Sequence, residues 1–338
     1  MSYKTSFLDA VIEERPSNHE DKPRRMGVEI EFAGLEPQTI VSAITRHFDG
    51  EAHWASPFEI EISDSKLGPF RIELDSKDIK QIGEQSKIAG DPAEADRGFE
   101  KVYIEAISSV ASNLVPWEIV TAPIRFSDLP KLFDLVETLR NEGAKGTKGA
   151  LHFAFGVHLN PDLPDLNAPT IVNYLKSFFC LHDWIMQIER PDLARRITPY
   201  INHFDKAYIL KILEPDYAPD TGELVSDYLE HNPTRNRSLD MLPLFAFLKP
   251  EMVEQKVDDD RVKARPTFHY RLPNCEIANP GWNLDRSIEV WMAVERLAYN
   301  PELQRVCDEY HAELSGVLPV LGSHRSERIA GLLSLPTF

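Results

Sequence analysis

The chain has 338 residues, 42% of them apolar and 27% charged, which is enough to bury a sizeable core in one large domain or two ordinary ones. Its net charge of −17 argues against a nucleic-acid surface, and no run approaches the ~20 apolar residues that span a bilayer. The three cysteines, Cys180, Cys275 and Cys307, are too scattered for a disulfide framework or a Cys-x-x-Cys zinc site and read as buried thiols in a reducing compartment.

Residues 1–25 are polar and aperiodic, without the apolar segment of a signal peptide, so an extended arm or short cap is expected there and a cytoplasmic location by default. A strand follows at about 26–33. Ile40, Val41, Ile44 and Phe48 have helical spacing over 38–48. A hairpin is expected from 58–62 and 70–75 about a turn at Ser65-Lys66-Leu67-Gly68-Pro69. Residues 83–98 read as a surface loop, 99–114 as a helix and 117–120 as a short strand. Helix 127–141 stops at Gly143, and a Gly/Lys-rich segment leads to a strand over 151–159. The second half is helix-rich, with helices at 169–189 and near 202–213, 222–230 and 239–247, a strand at 267–272, and a last helical stretch over 285–314. The pattern predicts an α+β fold with a mixed or antiparallel sheet, organised as a single domain over 26–320 with a tail at 321–338.

Four strands share an unusual division of faces. Alternation puts Val28, Ile30 and Phe32 on one side of the first strand and Glu29 and Glu31 on the other. An exposed Glu-x-Glu pair is an ordinary solvated face; a covered one needs a cation or a shared proton, and Mg²⁺ is a natural occupant of oxygen-rich sites. The strand over 151–160 sets Leu151, Phe153, Phe155, Val157 and Leu159 against His152, Ala154, Gly156, His158 and Asn160, with small residues leaving room above the sheet. In the late strand, Phe268, Tyr270 and Leu272 oppose Thr267, His269 and Arg271, and Arg265 extends the polar row; a salt-bridged surface strand is the plain alternative to anion binding. Glu118 stands between Trp117 and Ile119 in a short strand, where it needs a partner. Carboxylates, histidines and arginines lining one cleft suit metal-assisted phosphoryl chemistry.

Four segments, GVEIEF at 27–32, WEIVTAPI at 117–124, FGVHLNP at 155–161 and FHYRLPN at 268–274, resemble in order and spacing the amidoligase family of carboxylate–amine ligases, which is related to glutamine synthetase and glutamate–cysteine ligase. The resemblance covers roughly residues 25–300. It implies a curved, mainly antiparallel sheet of the glutamine synthetase catalytic type, with helices on the convex face and ATP and Mg²⁺ or Mn²⁺ on the concave one. It implies an amide bond formed between a small-molecule or peptide carboxylate and an amine through an acyl phosphate, with no nucleic-acid or membrane partner. Carried onto this sequence, it makes Glu29 and Glu31 metal residues, Glu118 a metal or substrate contact, His158 a nucleotide or metal contact, and Arg271 a phosphate contact.

Three departures from the family pattern stand out. His269 replaces a glutamate two positions before the arginine, a paired His-Val-His is absent, and Asp75-Ser76 only loosely matches an acidic loop. His269 and Arg265 join Arg271 as candidates by sharing its face. Arg235 and Arg237 are further anion-binding candidates, in a turn before a helix expected near Leu239, although a plain surface loop reads equally well. Glu73 with Asp75 is a second-choice acidic pair, and Glu59 with Glu61 reads as a solvated face. A phosphotransferase on the same fold and a catalytically degenerate binding protein remain open beside the ligase.

Overall fold

The computed structural model describes residues 6–56, 58–74, 117–147, 155–192, 201–316 and 322–335. The expected loop at 83–98, the helix at 99–114, Asp75-Ser76 and His152 lie outside the described residues. The chain forms two compact units, one of Met26–His158 with Asn274–Leu284, the other of Met1–Arg25, Leu159–Pro273 and Asp285–Phe338. Among the described residues no helix is long and apolar enough to cross a membrane.

The first unit is built on antiparallel strands β1 (Arg25–Phe32), β2 (Glu51–Ser56), β3 (Glu59–Ser63), β4 (Phe70–Leu74) and β5 (Trp117–Thr121), in the order β2-β3-β4-β5-β1. A two-residue strand β6 (Ile124–Arg125) also pairs with β1, and the first residues of β7 (Val157–Pro161) lie along its other edge. The register aligns Ile30, Ile119, Ile72 and Ile60 as one row across four strands, each fully buried. Helix α2 (Pro37–Phe48) covers this apolar side, stacking Phe48 on Phe70 of β4 with centroids 5.5 Å apart. Pro37 opens the helix at a position where no amide donor is needed, and Asp49 and Gly50 at φ 57° and 109° turn the chain directly into β2. The expected hairpin forms as β3–β4. Strand β2 was not expected, because Glu51, His53 and Trp54 are exposed and leave no apolar alternation to read.

Helix α3 (Lys131–Asn141) begins after Pro130, and a single 3₁₀ turn occupies Phe126–Asp128, where helix was expected from 127. Arg140 on α3 holds the returning segment 274–284 through the carbonyls of Ile277 (2.7 Å) and Trp282. Gly146 presses on the same segment: a Cβ there would stand 2.3 Å from the Cys275 carbonyl oxygen and 2.8 Å from the Ile277 nitrogen. Thr147 completes the join, its amide donating to Cys275 O at 2.9 Å and its hydroxyl to Phe155 O at 2.9 Å.

In the second unit, the end of β7 pairs with β9 (His269–Tyr270), and β9 with β8 (Leu239–Asp240). Phe268 and Tyr270 pack on Tyr174 and Phe178 of α4 (Ala168–Glu189) and on Trp291 of α9 (Asp285–Ala298), with centroids 4.9–6.1 Å apart. That leaves Thr267, His269 and Arg271 on the opposite side, as the alternation predicts. The strand is shorter than the expected 267–272, with ladder pairing at His269–Tyr270 and an isolated bridge from Thr267 to Asp162.

Helices α5 (Lys206–Leu213) and α6 (Thr221–His231) match expectation, α6 opening with a reciprocal capping box between Asp220 and Glu223. Helix α7 (Leu242–Leu248) starts three residues later than expected, since Leu239 and Asp240 are drawn into pairing with β9 and Pro243 favours the first turn. Helix α8 (Pro250–Lys256) follows. The last helical stretch splits into α9 and α10 (Leu303–Leu314) around Asn300-Pro301, and α11 (Gly322–Leu333) comes after. Cys180 and Cys307 are buried thiols, not joined in a disulfide, with sulfurs 3.7 Å apart, and Cys275 is a buried thiol as well.

The expected N-terminal arm contains helix α1 (Ser6–Glu14), whose Leu8 and Val11 are buried and whose first amides, from Phe7 and Leu8, donate to the Glu289 carboxylate of α9 at 3.0 Å each. Arg24 is almost fully buried. It binds both carboxylate oxygens of the fully buried Glu295 and the carbonyl of Asp162, the latter at 2.7 Å.

Candidate functional site

The side of the first unit's sheet that faces away from the isoleucine row carries a second row. Glu31 stands opposite Glu118, Glu118 opposite Glu73, and Glu73 opposite Glu59, so four adjacent strands set four carboxylates in line. Like charges directly opposite one another destabilise a sheet. Part of this is offset locally, since Arg71 reaches Glu73 at 3.4 Å. At the β1 end of the row, one ligand atom each from Glu31, Glu118 and His158 lies within 4.8 Å of the others. At an effective dielectric of ~20, two carboxylates at such a separation repel by about 3 kcal/mol, which a shared cation removes.

His158 reaches this cluster because β7 runs antiparallel to β1. The Asp162 amide donates to Arg25 O and the Glu31 amide to Gly156 O, each at 3.0 Å, so His158 lies across from Glu29. Its Nδ1 is 2.7 Å from Glu29 Oε2, and its Nε2 is 3.8 Å from Glu31 Oε1. With the proton on Nδ1, Glu29 accepts it and fixes the ring, and Nε2 carries its lone pair toward the carboxylates. Glu31 is oriented in turn by the Gly156 amide, which donates to its Oε2 at 2.6 Å. The two glutamates that alternation places side by side therefore differ in surroundings: Glu31 faces Glu118, while Glu29 braces the histidine.

The second unit holds a cluster of its own around Asp240. Asp240 on β8 is fully buried, and Arg235, Arg265 and Arg271 surround it. Burial pushes its carboxyl up to about 6, against the pull of Arg271, the Leu242 amide, Arg235 and Arg265. Oδ1 accepts from that amide at 3.0 Å. Oδ2 has no hydrogen-bond donor among the described residues, and Arg235 Nε stands 3.9 Å from it. Burial, then the charge of Arg271, lowers the Arg235 guanidinium from its ordinary value. Arg271 is held through its own amide to Ser238 O at 3.0 Å and its Nη1 to Arg235 O at 2.7 Å. Asp240 pairs in register with His269 across β8–β9, and His269 Nδ1 lies 2.6 Å from Asn160 Oδ1 on β7. Asn160 accepts there, so the imidazole proton is on Nδ1.

Of the residues singled out from sequence, Glu29, Glu31, Glu118 and His158 thus converge in the first unit, and Arg235, Arg265, Arg271 and His269 in the second. Arg237 stands apart from both. Its guanidinium donates to the carbonyls of His203 (2.8 Å) and His231 (3.2 Å), so it ties the turn to the segment before α5 and to the end of α6. Arg235 and Arg237 precede strand β8, not the helix start expected there, so the helix-terminus argument for them falls away; Arg235 owes its place to Asp240 instead. Asp240 was missed because a two-residue strand carries no readable alternation. The alignment of Glu73 and Glu59 with Glu118 depends on hairpin register, which alternation within one strand does not specify.

A family model described as "putative amidoligase enzyme" matches residues 22–293. The chain belongs to the amidoligase family. No curated protein and no solved structure matches it. In this amidoligase the matched span takes in both clusters and ends within α9.

Proposed function

We propose that this amidoligase is an ATP-dependent carboxylate–amine ligase, working on the open polar face of a sheet of the glutamine synthetase catalytic type. A substrate carboxylate oxygen attacks the γ-phosphorus of ATP, and ADP leaves. The amine nitrogen then attacks the acyl carbon, phosphate departs with the bonding electrons, and the amine loses a proton. Phosphate is the better leaving group, which is why the nucleotide is needed.

The observation that carries this reading is the Glu31–Glu118–His158 cluster in a chain of this family. Two carboxylates and one imidazole form an oxygen-rich donor set suited to Mg²⁺ or Mn²⁺, and the aligned glutamates give the sheet an electrostatic reason to take such an ion. Glu31, Glu118 and His158 would hold it, with Glu29 orienting the histidine. When bound, the ion neutralises phosphate oxygens and the charge that develops on them. Glu118, which stands between Glu31 and Glu73 in the row, is the candidate to contact substrate as well as ion. Arg265 and Arg271, with Arg235, supply guanidinium groups suited to phosphate oxygens.

His269 in place of the family's glutamate, hydrogen-bonded to Asn160, keeps a catalytically degenerate binding protein as the second reading, and a phosphotransferase is the alternative enzyme. The test is incubation with ATP, Mg²⁺ and panels of carboxylates, with hydroxylamine standing in for the amine. A ligase gives ADP, phosphate and a hydroxamate, and ¹⁸O from the carboxylate appears in the phosphate. A stable phosphorylated product formed without amine assigns the phosphotransferase. ATP binding without turnover on any carboxylate sinks both enzymes and assigns the binding protein.

A further inference from the structure

Within the second unit, α10 packs on α4 and brings Cys307 to Cys180, both fully buried, with sulfurs 3.7 Å apart. That is about 1.7 Å more than a disulfide bond, a gap closed by rotation about χ1 and a small slide of one helix. Two thiols in a packed interior are ordinarily small apolar fillers. The surroundings of this pair differ from that in two ways. Lys176 stands four residues before Cys180 and so shares its face of α4. It is almost fully buried, and its Nζ donates to Gln304 Oε1 at 3.1 Å. Gln304 is exposed, lies three residues before Cys307 on α10, and donates in turn to Asp308 Oδ1 at 2.7 Å. The sulfurs therefore lie one helical turn, roughly 5 Å, from a seam where α4 and α10 meet solvent. The Lys176–Gln304 bond spans that seam, and a hydrogen bond at a solvent edge is exchanged for water at little net cost. The second difference is reach. The cysteines are 127 residues apart in sequence, and Cys307 lies beyond the family match that ends at residue 293, whereas Cys180 lies inside it. A bond between them would tie α10 to the helix that seats β9, since Tyr174 and Phe178 of α4 pack on Phe268 and Tyr270.

We propose that Cys180 and Cys307 are a redox modification site, converted to an intrachain disulfide in the folded protein by a low-molecular-weight disulfide such as oxidised glutathione. The α4–α10 seam opens first, because both sulfurs are covered. One cysteine loses its proton and its sulfur attacks the oxidant, forming a mixed disulfide and expelling one thiolate. The second cysteine loses its proton and attacks the protein sulfur of that mixed disulfide, expelling the other thiolate. The two protein thiols give up two electrons and two protons, and the oxidant's S–S bond becomes two thiols. An external dithiol reverses the exchange. The product holds α10 against α4 and closes a long loop in the unfolded chain, which favours the folded one.

The test takes the full chain carrying Cys275→Ser, so that Cys180 and Cys307 are the two thiols left. Incubation with excess oxidised glutathione without denaturant, then alkylation and peptide mass spectrometry, should show both thiols lost and the peptides bearing Cys180 and Cys307 joined. A non-reducing gel should place the join within one chain, and dithiothreitol should restore both thiols. The oxidised chain should unfold at a urea concentration higher by roughly 1 M. Gln304→Ala, which removes the bond across the seam, should speed oxidation several-fold. Thiols that survive in the folded chain, or that join only above the urea midpoint, overturn the site and make the pair a packing contact. Glutathione retained on one cysteine as a stable mixed disulfide overturns the pairing. A joined chain that unfolds at lower urea overturns the claim that the native packing accommodates the bond, and an unchanged rate in Gln304→Ala overturns the route. If Cys275→Ser does not fold, the joined peptides are sought in the wild-type chain and read against Cys180→Ala, with the same outcomes deciding.

Discussion

His158 divides its two ring nitrogens between two glutamates of a single strand: Nδ1 lies 2.7 Å from Glu29 and Nε2 lies 3.8 Å from Glu31. Carboxylate braces of this kind fix a ligand's tautomer and tune its basicity. Glu29→Ala is expected to weaken Mn²⁺ binding about 10–100-fold. Glu29→Gln, whose amide oxygen can still accept from Nδ1, should recover most of that loss. Both are read by titration calorimetry, alongside Glu31→Ala and Glu118→Ala, which should abolish binding with circular dichroism unchanged. Equal losses in Glu29→Ala and Glu29→Gln would mean that charge, not orientation, is the contribution.

The glutamate row should tie stability to cations. Glu73 stands opposite both Glu118 and Glu59, so in the presence of EDTA Glu73→Gln should stabilise the chain by roughly 0.5 kcal/mol. The Arg71 contact limits the gain. Added Mg²⁺ should raise the melting temperature of the wild-type chain more than that of the variant. A variant less stable than wild type in EDTA would show that Arg71 already neutralises the row.

Arg24 and Glu295 form a buried pair whose halves are unequal to the whole. Arg24→Ala should cost about 3–5 kcal/mol in urea unfolding, because Glu295 is left charged and uncompensated in the interior. Arg24→Met combined with Glu295→Leu should recover a large part, less the loss of the Arg24 bond to the Asp162 carbonyl. Additive losses in the double variant would contradict this.

His203 should contribute to acid sensitivity. Burial first, then the charges of the stacked His182 ring and of Arg237, depress its imidazole to about 3 despite Asp183. Its contribution is complete above the unfolded value near 6.5 and is lost as pH falls toward 3. Between pH 6.5 and 5 the loss is up to about 2 kcal/mol. Asp240 acts in the opposite sense, since its raised carboxyl favours the fold as pH falls through 6. His203→Phe against wild type, compared in urea midpoints at pH 7.5 and 5, therefore isolates the histidine. Parallel profiles would discount it.

The polar faces of β1, β5, β7 and β9 were legible in the sequence because alternation within one strand is a local property. So were the segments that carry the family resemblance. Which glutamate faces which was not legible. That depends on register between strands, which for Glu59 and Glu73 follows from the six-residue connection 64–69, in which Gly68 takes a φ of 89°. The arginine cluster was legible only in part. Arg265 and Arg271 share a face with His269, but their focus, Asp240, lies in a strand too short to show a pattern. Helix α1 was overlooked although Phe7, Leu8 and Val11 have helical spacing, because the segment around it is polar; its cap comes from Glu289, far along the chain.

The close approach at Gly146 bears on how the sequence can drift. The atoms that would meet a Cβ there are the Cys275 carbonyl oxygen, the Ile277 nitrogen and the Glu276 Cα, all of them main chain. Trimming a neighbouring side chain is the usual route by which a second substitution rescues a first, and it makes no room here. Position 146 is thus closed to stepwise exploration: any side chain larger than hydrogen requires the 275–277 backbone to be re-routed at the same time.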